Sequence, residues 1–204
     1  MSIEYAVFQK LADEFTSTYG RPDETAAWTT AVKAGLRAAK SDLANAFDVP
    51  LAQMTCFHND PRVGADERHE YLVDFCWTTW PTDYDSLARP HRYQVLLAAE
   101  SEWGEPGSVA KHRDMVLDDF CKLVDIRARM KVLVYGLRAS APLHDEFEVI
   151  LKNAERDDRE HWLFVGLPEM PRAGRWPHYV RVVRRDGSLI RPNWQMADPR
   201  MVLA

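Results

Sequence analysis

Two stretches of alternation, residues 69–79 and 93–103, constrain this chain more than any other feature of it. Tyr71, Val73, Phe75 and Trp77 fall on one side of the first stretch, and Tyr93, Val95, Leu97, Ala99 and Trp103 on one side of the second. A period of two built from aromatic and β-branched residues is the pattern of a half-buried strand. Between the two stretches, Trp80-Pro81 and Pro90 interrupt strand structure, so the pair is expected to close as an antiparallel hairpin.

On either side of the hairpin the period changes to that of a helix. Residues 5–18 carry apolar side chains at helical spacing and end at Gly20-Arg-Pro22. A second helix is expected from a cap at Asp23 through Ala27, Trp28, Ala31, Val32, Leu36, Ala39, Leu43 and Phe47. After the hairpin, residues 109–129 return to helical period with Val116, Phe120, Leu123 and Val124 inward, and 131–135 reads as a short buried strand. Pro142 opens a helix over about 143–156, with Asp145 and Glu146 in an acidic first turn. Residues 161–166 and 178–185 read as strands, and Arg185-Asp-Gly187 as the turn of a closing hairpin with 188–191. The order α, α, β, β, α, β, α, β, β predicts an α/β (α+β) chain: one mixed sheet flanked by helices in a single domain. Its parts would be N-terminal helices over 1–50, a core over 51–167 and a basic hairpin extension over 168–204.

The hairpin also carries the chemistry. Glu100 and Glu102 are two apart and so share a strand face. If the hairpin is symmetric about Leu87, facing residue numbers sum to 174 and Asp74 stands opposite Glu100. That register gathers three carboxylates on one face and the apolar side chains on the other. Like charges facing each other across a sheet are unfavourable unless a cation neutralises them, and hard oxygen donors suit Mg²⁺ or Mn²⁺. A solvated open sheet face would give the same pattern. Downstream, Asp118-Asp-Phe-Cys-Lys122-Leu places a lysine on the helix that Phe120 and Leu123 would dock on the sheet. Lys122 would there reach over the acidic site, or alternatively pair on its own helix with Asp118 or Asp119. Glu70 and, on an early helix, Asp42 are further acidic candidates, and His69, His91 and His112 flank the site.

These residues resemble the PD-(D/E)XK nuclease superfamily over about 42–165. Its core is a helix, a strand hairpin bearing Asp and Glu-X-Lys, a helix and further strands. Asp74 matches the Asp and Glu100 the first acid of the second motif, whereas Glu102 stands where the family usually has Lys; Lys122 looks like its replacement. Glu-X-Glu-Trp followed by Asp-Phe-X-Lys-Leu is similar to small bacterial branches of that superfamily. The resemblance implies a restriction-endonuclease-like core and Mg²⁺-dependent (or Mn²⁺-dependent) hydrolysis of nucleic acid, DNA before RNA. Asp74, Glu100 and Glu102 would be the metal ligands, with Lys122 balancing charge. Cutting a duplex would suit a homodimer. The alternatives are a non-catalytic binding or assembly protein of the same fold, favoured by the absent strand lysine, and a metal hydrolase of small phosphorylated substrates.

A formal charge of −5 argues against non-specific coating of nucleic acid and leaves room for a local basic groove. Arg172, Arg175, Arg181, Arg184, Arg185 and Arg191 face a single acid, Asp186, between residues 170 and 191; of these Arg181, Arg184 and Arg185 are the candidate backbone grip. A solvated basic edge is the plain alternative. Cys56, Cys76 and Cys121 are odd in number and scattered, as reduced thiols are, and Cys56-Phe-His58 offers too few ligands for zinc. No run approaches the ~20 apolar residues of a membrane span, and the start lacks the layout of a signal peptide, so a cytoplasmic protein is expected. Serine-hydrolase, P-loop, dinucleotide and zincin signatures are all missing.

Overall fold

The computed structural model of the chain describes residues 1–18, 25–58, 73–79, 94–103, 108–136, 140–167 and 179–194. Its elements are α1 (Ile3–Thr18), α2 (Thr25–Ala38), α3 (Lys40–Phe47), a 3-10 turn (Leu51–Gln53), β1 (Thr55–His58), β2 (Phe75–Thr78), β3 (Val95–Glu102), α4 (Val109–Asp125), β4 (Ala128–Gly136), α5 (Ser140–Asn153), β5 (His161–Leu167), β6 (Tyr179–Val183) and β7 (Leu189–Ile190). The strands form one mixed sheet in sequential order, β1 to β7. β3, β4 and β5 are parallel, and the pairs at both ends are antiparallel. The expected mixed sheet flanked by helices is the architecture observed.

The crossover helices explain how the two faces are used. β3, β4 and β5 advance in one direction across the sheet, so crossovers of the same hand put α4 and α5 on the same face. Val116, Phe120 and Leu123 of α4 and Leu143, Phe147 and Leu151 of α5 there bury Cys76, Ala98, Leu133, Trp162 and Phe164. The other face is left to the N-terminal helices. α1, α2 and α3 bury Phe75, Trp77, Leu97, Ala99, Val132, Val134, Leu163 and Val165, and the Trp77 indole donates to Leu36 O at 2.9 Å. Gly35 allows α2 to approach α1 closely, because a Cβ there would lie 2.9 Å from Leu11 Cα.

The hairpin register is the expected one: Phe75 faces Ala99, Cys76 faces Ala98 and Trp77 faces Leu97, each pair summing to 174. An irregularity follows between Trp77 and Thr78, and Thr78 faces Val95. That shift turns Val95 to the α4 side, away from Leu97 and Ala99, with which strict alternation had grouped it. Tyr71, Tyr93 and the expected loop tip at Leu87 lie outside the described residues.

Four further differences have local causes. β1 was not anticipated: it is four residues long, buried on both faces, and so shows no alternation. The expected second helix is divided at Ala39 into α2 and α3, although Ala39 N still donates to Gly35 O. α5 begins at Ser140, which keeps Pro142 in the first turn, where its missing N–H costs nothing, but moves Asp145 and Glu146 beyond that turn. The β6–β7 turn spans Arg184 to Ser188, with Gly187 at φ +84° and the Asp186 carboxylate accepting from Ser188 N and Oγ.

Among the described residues no helix is long and apolar enough to cross a membrane. Cys56 and Cys76 are buried, Cys121 is exposed, and all three are free thiols.

Candidate active site: carboxylates and a lysine between the hairpin and α4

Beyond Phe75 the β2–β3 ladder ends, and the side chains of Asp74 and Glu100 take over the pairing. Glu100 Oε2 accepts from the Asp74 N–H at 3.3 Å. Asp74 Oδ2 accepts from both the N–H and the hydroxyl of Ser101, each at 3.0 Å. The two carboxylates predicted to face each other are therefore brought together by polar contacts that leave one edge of Glu100 unanswered.

Glu100 points toward α4, so its surroundings are those of a covered face and not of the open, solvated one that the alternation also allowed. Only 3% of the residue is exposed. Its Oε1 receives no hydrogen bond and lies 3.5 Å from Lys122 Nζ, within ion-pair range. Burial, then the charge of Asp74, then that of Asp119 push the Glu100 carboxyl up to about 8, with Lys122 pulling the other way. A carboxylate displaced this far by desolvation and named neighbours marks a functional-site candidate.

Lys122 combines the two roles that its sequence position allowed. It pairs on its own helix with Asp119, Nζ to Oδ1 at 2.6 Å, and reaches Glu100 at the same time. The two carboxylates raise its pKa above the usual lysine value, the Asp119 hydrogen bond contributing most. Its side chain is 51% exposed, so the ammonium also faces solvent. Asp119 is held above its ordinary value chiefly by burial, against the stabilising hydrogen bond from Lys122.

Asp119 is the residue that sequence reasoning did not place in the site. The signal was present, because Val116, Phe120 and Leu123 orient α4 and thereby turn residue 119 toward the hairpin, but residue 119 entered only as a partner for the lysine. Glu102 closes β3 on the same sheet face by alternation, in register with Tyr135. Asp42 sits on α3, across the sheet from Glu100. His112 is buried and its Nε2 contacts Gly136 O at 3.0 Å. His69, Glu70 and His91 lie outside the described residues.

The basic candidates fall elsewhere. Arg181 lies three strands from Glu100 in the same sheet row, roughly 14 Å away at the usual strand spacing. Its guanidinium lies 3.9 Å over the Tyr179 ring, which stacks on His144 at 3.4 Å. Arg184 and Arg185 occupy the exposed β6–β7 turn, where the Arg185 carbonyl accepts from Arg156. That turn stands at the end of the sheet opposite Glu102, because β6 runs antiparallel to β5. Arg172 and Arg175 are outside the described residues.

The donor set of Asp74, Glu100 and Asp119 is all carboxylate, the chemistry that Mg²⁺ and Mn²⁺ favour, and the orphaned Glu100 oxygen is a natural seat for a cation. Among the described residues, however, no three His, Cys, Asp or Glu side chains are arranged as a ready ligand set. Lys122 supplies the positive charge instead. No protein-family model, curated protein or solved structure matches the chain.

Proposed function

We propose that the chain is a metal-dependent nuclease-like hydrolase of phosphodiester bonds in nucleic acid, of the restriction-endonuclease-like kind. The observation that carries this reading is the buried Glu100, facing Asp74 across the β2–β3 hairpin with the Lys122 ammonium over its free oxygen. The framework agrees with it: a helix, three antiparallel strands, a crossover helix and a parallel strand, with these groups under α4 where the β2–β3 ladder ends.

Asp74 and Glu100 would hold the cation, with Glu102 further along the same strand face. When bound, a divalent cation supplies Lewis acidity toward phosphate oxygens and makes water more acidic. The protein's own groups do the rest. Ser101 fixes Asp74 through two hydrogen bonds, which presets its carboxylate without any reorganisation at the moment of reaction. Lys122, half in solvent, is placed to take a non-bridging phosphate oxygen and to offset charge as water attacks phosphorus and the leaving oxygen departs.

A second reading, a non-catalytic binding or assembly protein of the same fold, draws on the lack of a ready ligand set and on Lys122 already neutralising part of the site. Degradation assays on single- and double-stranded DNA and RNA with Mg²⁺ and Mn²⁺ separate the two. Cleavage by the wild-type protein that disappears in Asp74→Ala and Glu100→Ala is the expected result. Indistinguishable behaviour of all three proteins on every substrate would sink the nuclease reading.

A further inference from the structure

We propose that Asp119 is the third carboxylate of the cation site and that the Lys122 ammonium marks the place a divalent cation takes. This deepens the nuclease reading and rests on it. The ammonium is bracketed by oxygens from two different elements, Asp119 Oδ1 of α4 at 2.6 Å and Glu100 Oε1 of β3 at 3.5 Å. Among the described residues no three acids form a ligand set while the ammonium is in place, so a cation would take its position between these two oxygens and draw the carboxylates in.

The second observation is the state of Glu100 itself. The residue is 3% exposed, yet Oε1 accepts no hydrogen bond, so the buried oxygen is aimed at the ammonium without being satisfied by it. Hydrogen-bonding groups left incomplete inside proteins are uncommon and call for a partner. A hard cation supplies one, because it can be approached by several carboxylate oxygens at once, whereas an ammonium must aim its N–H bonds.

Asp119 fits the third position better than Glu102 does. Asp119 shares the ammonium with Glu100 directly, while Glu102 is one alternation further along β3, about 7 Å by backbone rise, beside the end of the strand. The cation and the ammonium then compete for the same two oxygens. Lys122 can yield: its stem is flexible and its side chain is 51% exposed. An ammonium moved outward by the incoming cation remains at the mouth of the site, where a phosphate arrives. The departure from the usual strand lysine thereby acquires a physical sense, since one lysine serves as counter-charge before loading and as phosphate partner afterwards.

Calorimetric titration of the full chain with Mn²⁺ tests this without any activity measurement. Glu100→Gln is expected to abolish binding, and Asp119→Asn to weaken it about tenfold or more, as loss of a ligand or its support does. Glu102→Gln should weaken it less than Asp119→Asn. Lys122→Met should tighten it by about tenfold or more, because a competing positive charge within about 4 Å of the same oxygens is gone. Far-UV circular dichroism and denaturation midpoints establish that each variant is folded, and Asp119→Asn retains an oxygen for Lys122. Unchanged affinity in Asp119→Asn, or unchanged or weaker affinity in Lys122→Met, overturns this inference while the Glu100 result leaves the nuclease reading standing. No Mn²⁺ binding by the wild-type chain removes both.

Discussion

Replacing Glu100 by glutamine should stabilise the metal-free protein, and by an amount that depends on pH. The folded chain holds the Glu100 proton up to about 8, while an unfolded glutamate releases it near the ordinary 4.5. Between those values the native state binds a proton that the unfolded state does not, so stability falls as pH rises, by about 1.4 kcal/mol per pH unit. By pH 7 the wild-type chain has lost roughly 3 kcal/mol relative to pH 4.5, and above about 8 the loss levels off. Glutamine is neutral throughout and keeps an oxygen for the Asp74 N–H. The variant is therefore expected to match wild type near pH 4.5 and to exceed it by roughly 3 kcal/mol at pH 7. For a chain of this size that is about 6–12 °C in Tm. Urea denaturation at pH 5, 7 and 8.5 in the presence of a chelator reads the difference directly. A variant less stable than wild type at pH 7, or a gap that is the same at all three pH values, would refute the reasoning: either result means that the Glu100 charge is well accommodated in the folded protein.

Two other perturbations probe how the sheet is held. Lys131 is 1% exposed and pairs with Glu160, 9% exposed, at 3.0 Å, so Lys131→Ala should cost about 3–5 kcal/mol by leaving a buried charge uncompensated. Adding Glu160→Gln should recover much of that loss in chemical denaturation, and a single-variant cost below about 1 kcal/mol would contradict the pairing argument. Gly187→Ala should lower stability by about 1 kcal/mol or more, because the residue has φ +84° and a Cβ would meet Lys152 Cα at 2.9 Å. An unchanged denaturation midpoint would mean that the β6–β7 turn does not sit against α5 as described.

Periodicity by itself determined a good deal of this protein. The alternation of Phe75 and Trp77 and of Leu97 to Trp103 defined a hairpin and even its register, although Val73, expected beside Phe75 and Trp77, packs instead with Cys76 on the α4 side, just before the strand begins. The helical period of residues 109–125 made Lys122 a neighbour of the hairpin. What periodicity could not supply was burial without alternation, which is why the four residues of β1 left no trace, and the bulge that turns Val95.

The character of the site was decided only by tertiary structure. Sequence spacing puts Glu100 on a face but does not say what covers that face, and an open antiparallel surface would have left its carboxyl ordinary. The parallel crossovers lay α4 over it, and burial together with Asp74 and Asp119 then raises its proton affinity. The same docking brings the Asp119–Lys122 pair, formed locally along α4, over Glu100, which lies nineteen positions from Asp119 along the chain. Alternation thus set which residues carry the acidic face, and long-range packing set the dielectric and the charges around them, which no local pattern encodes.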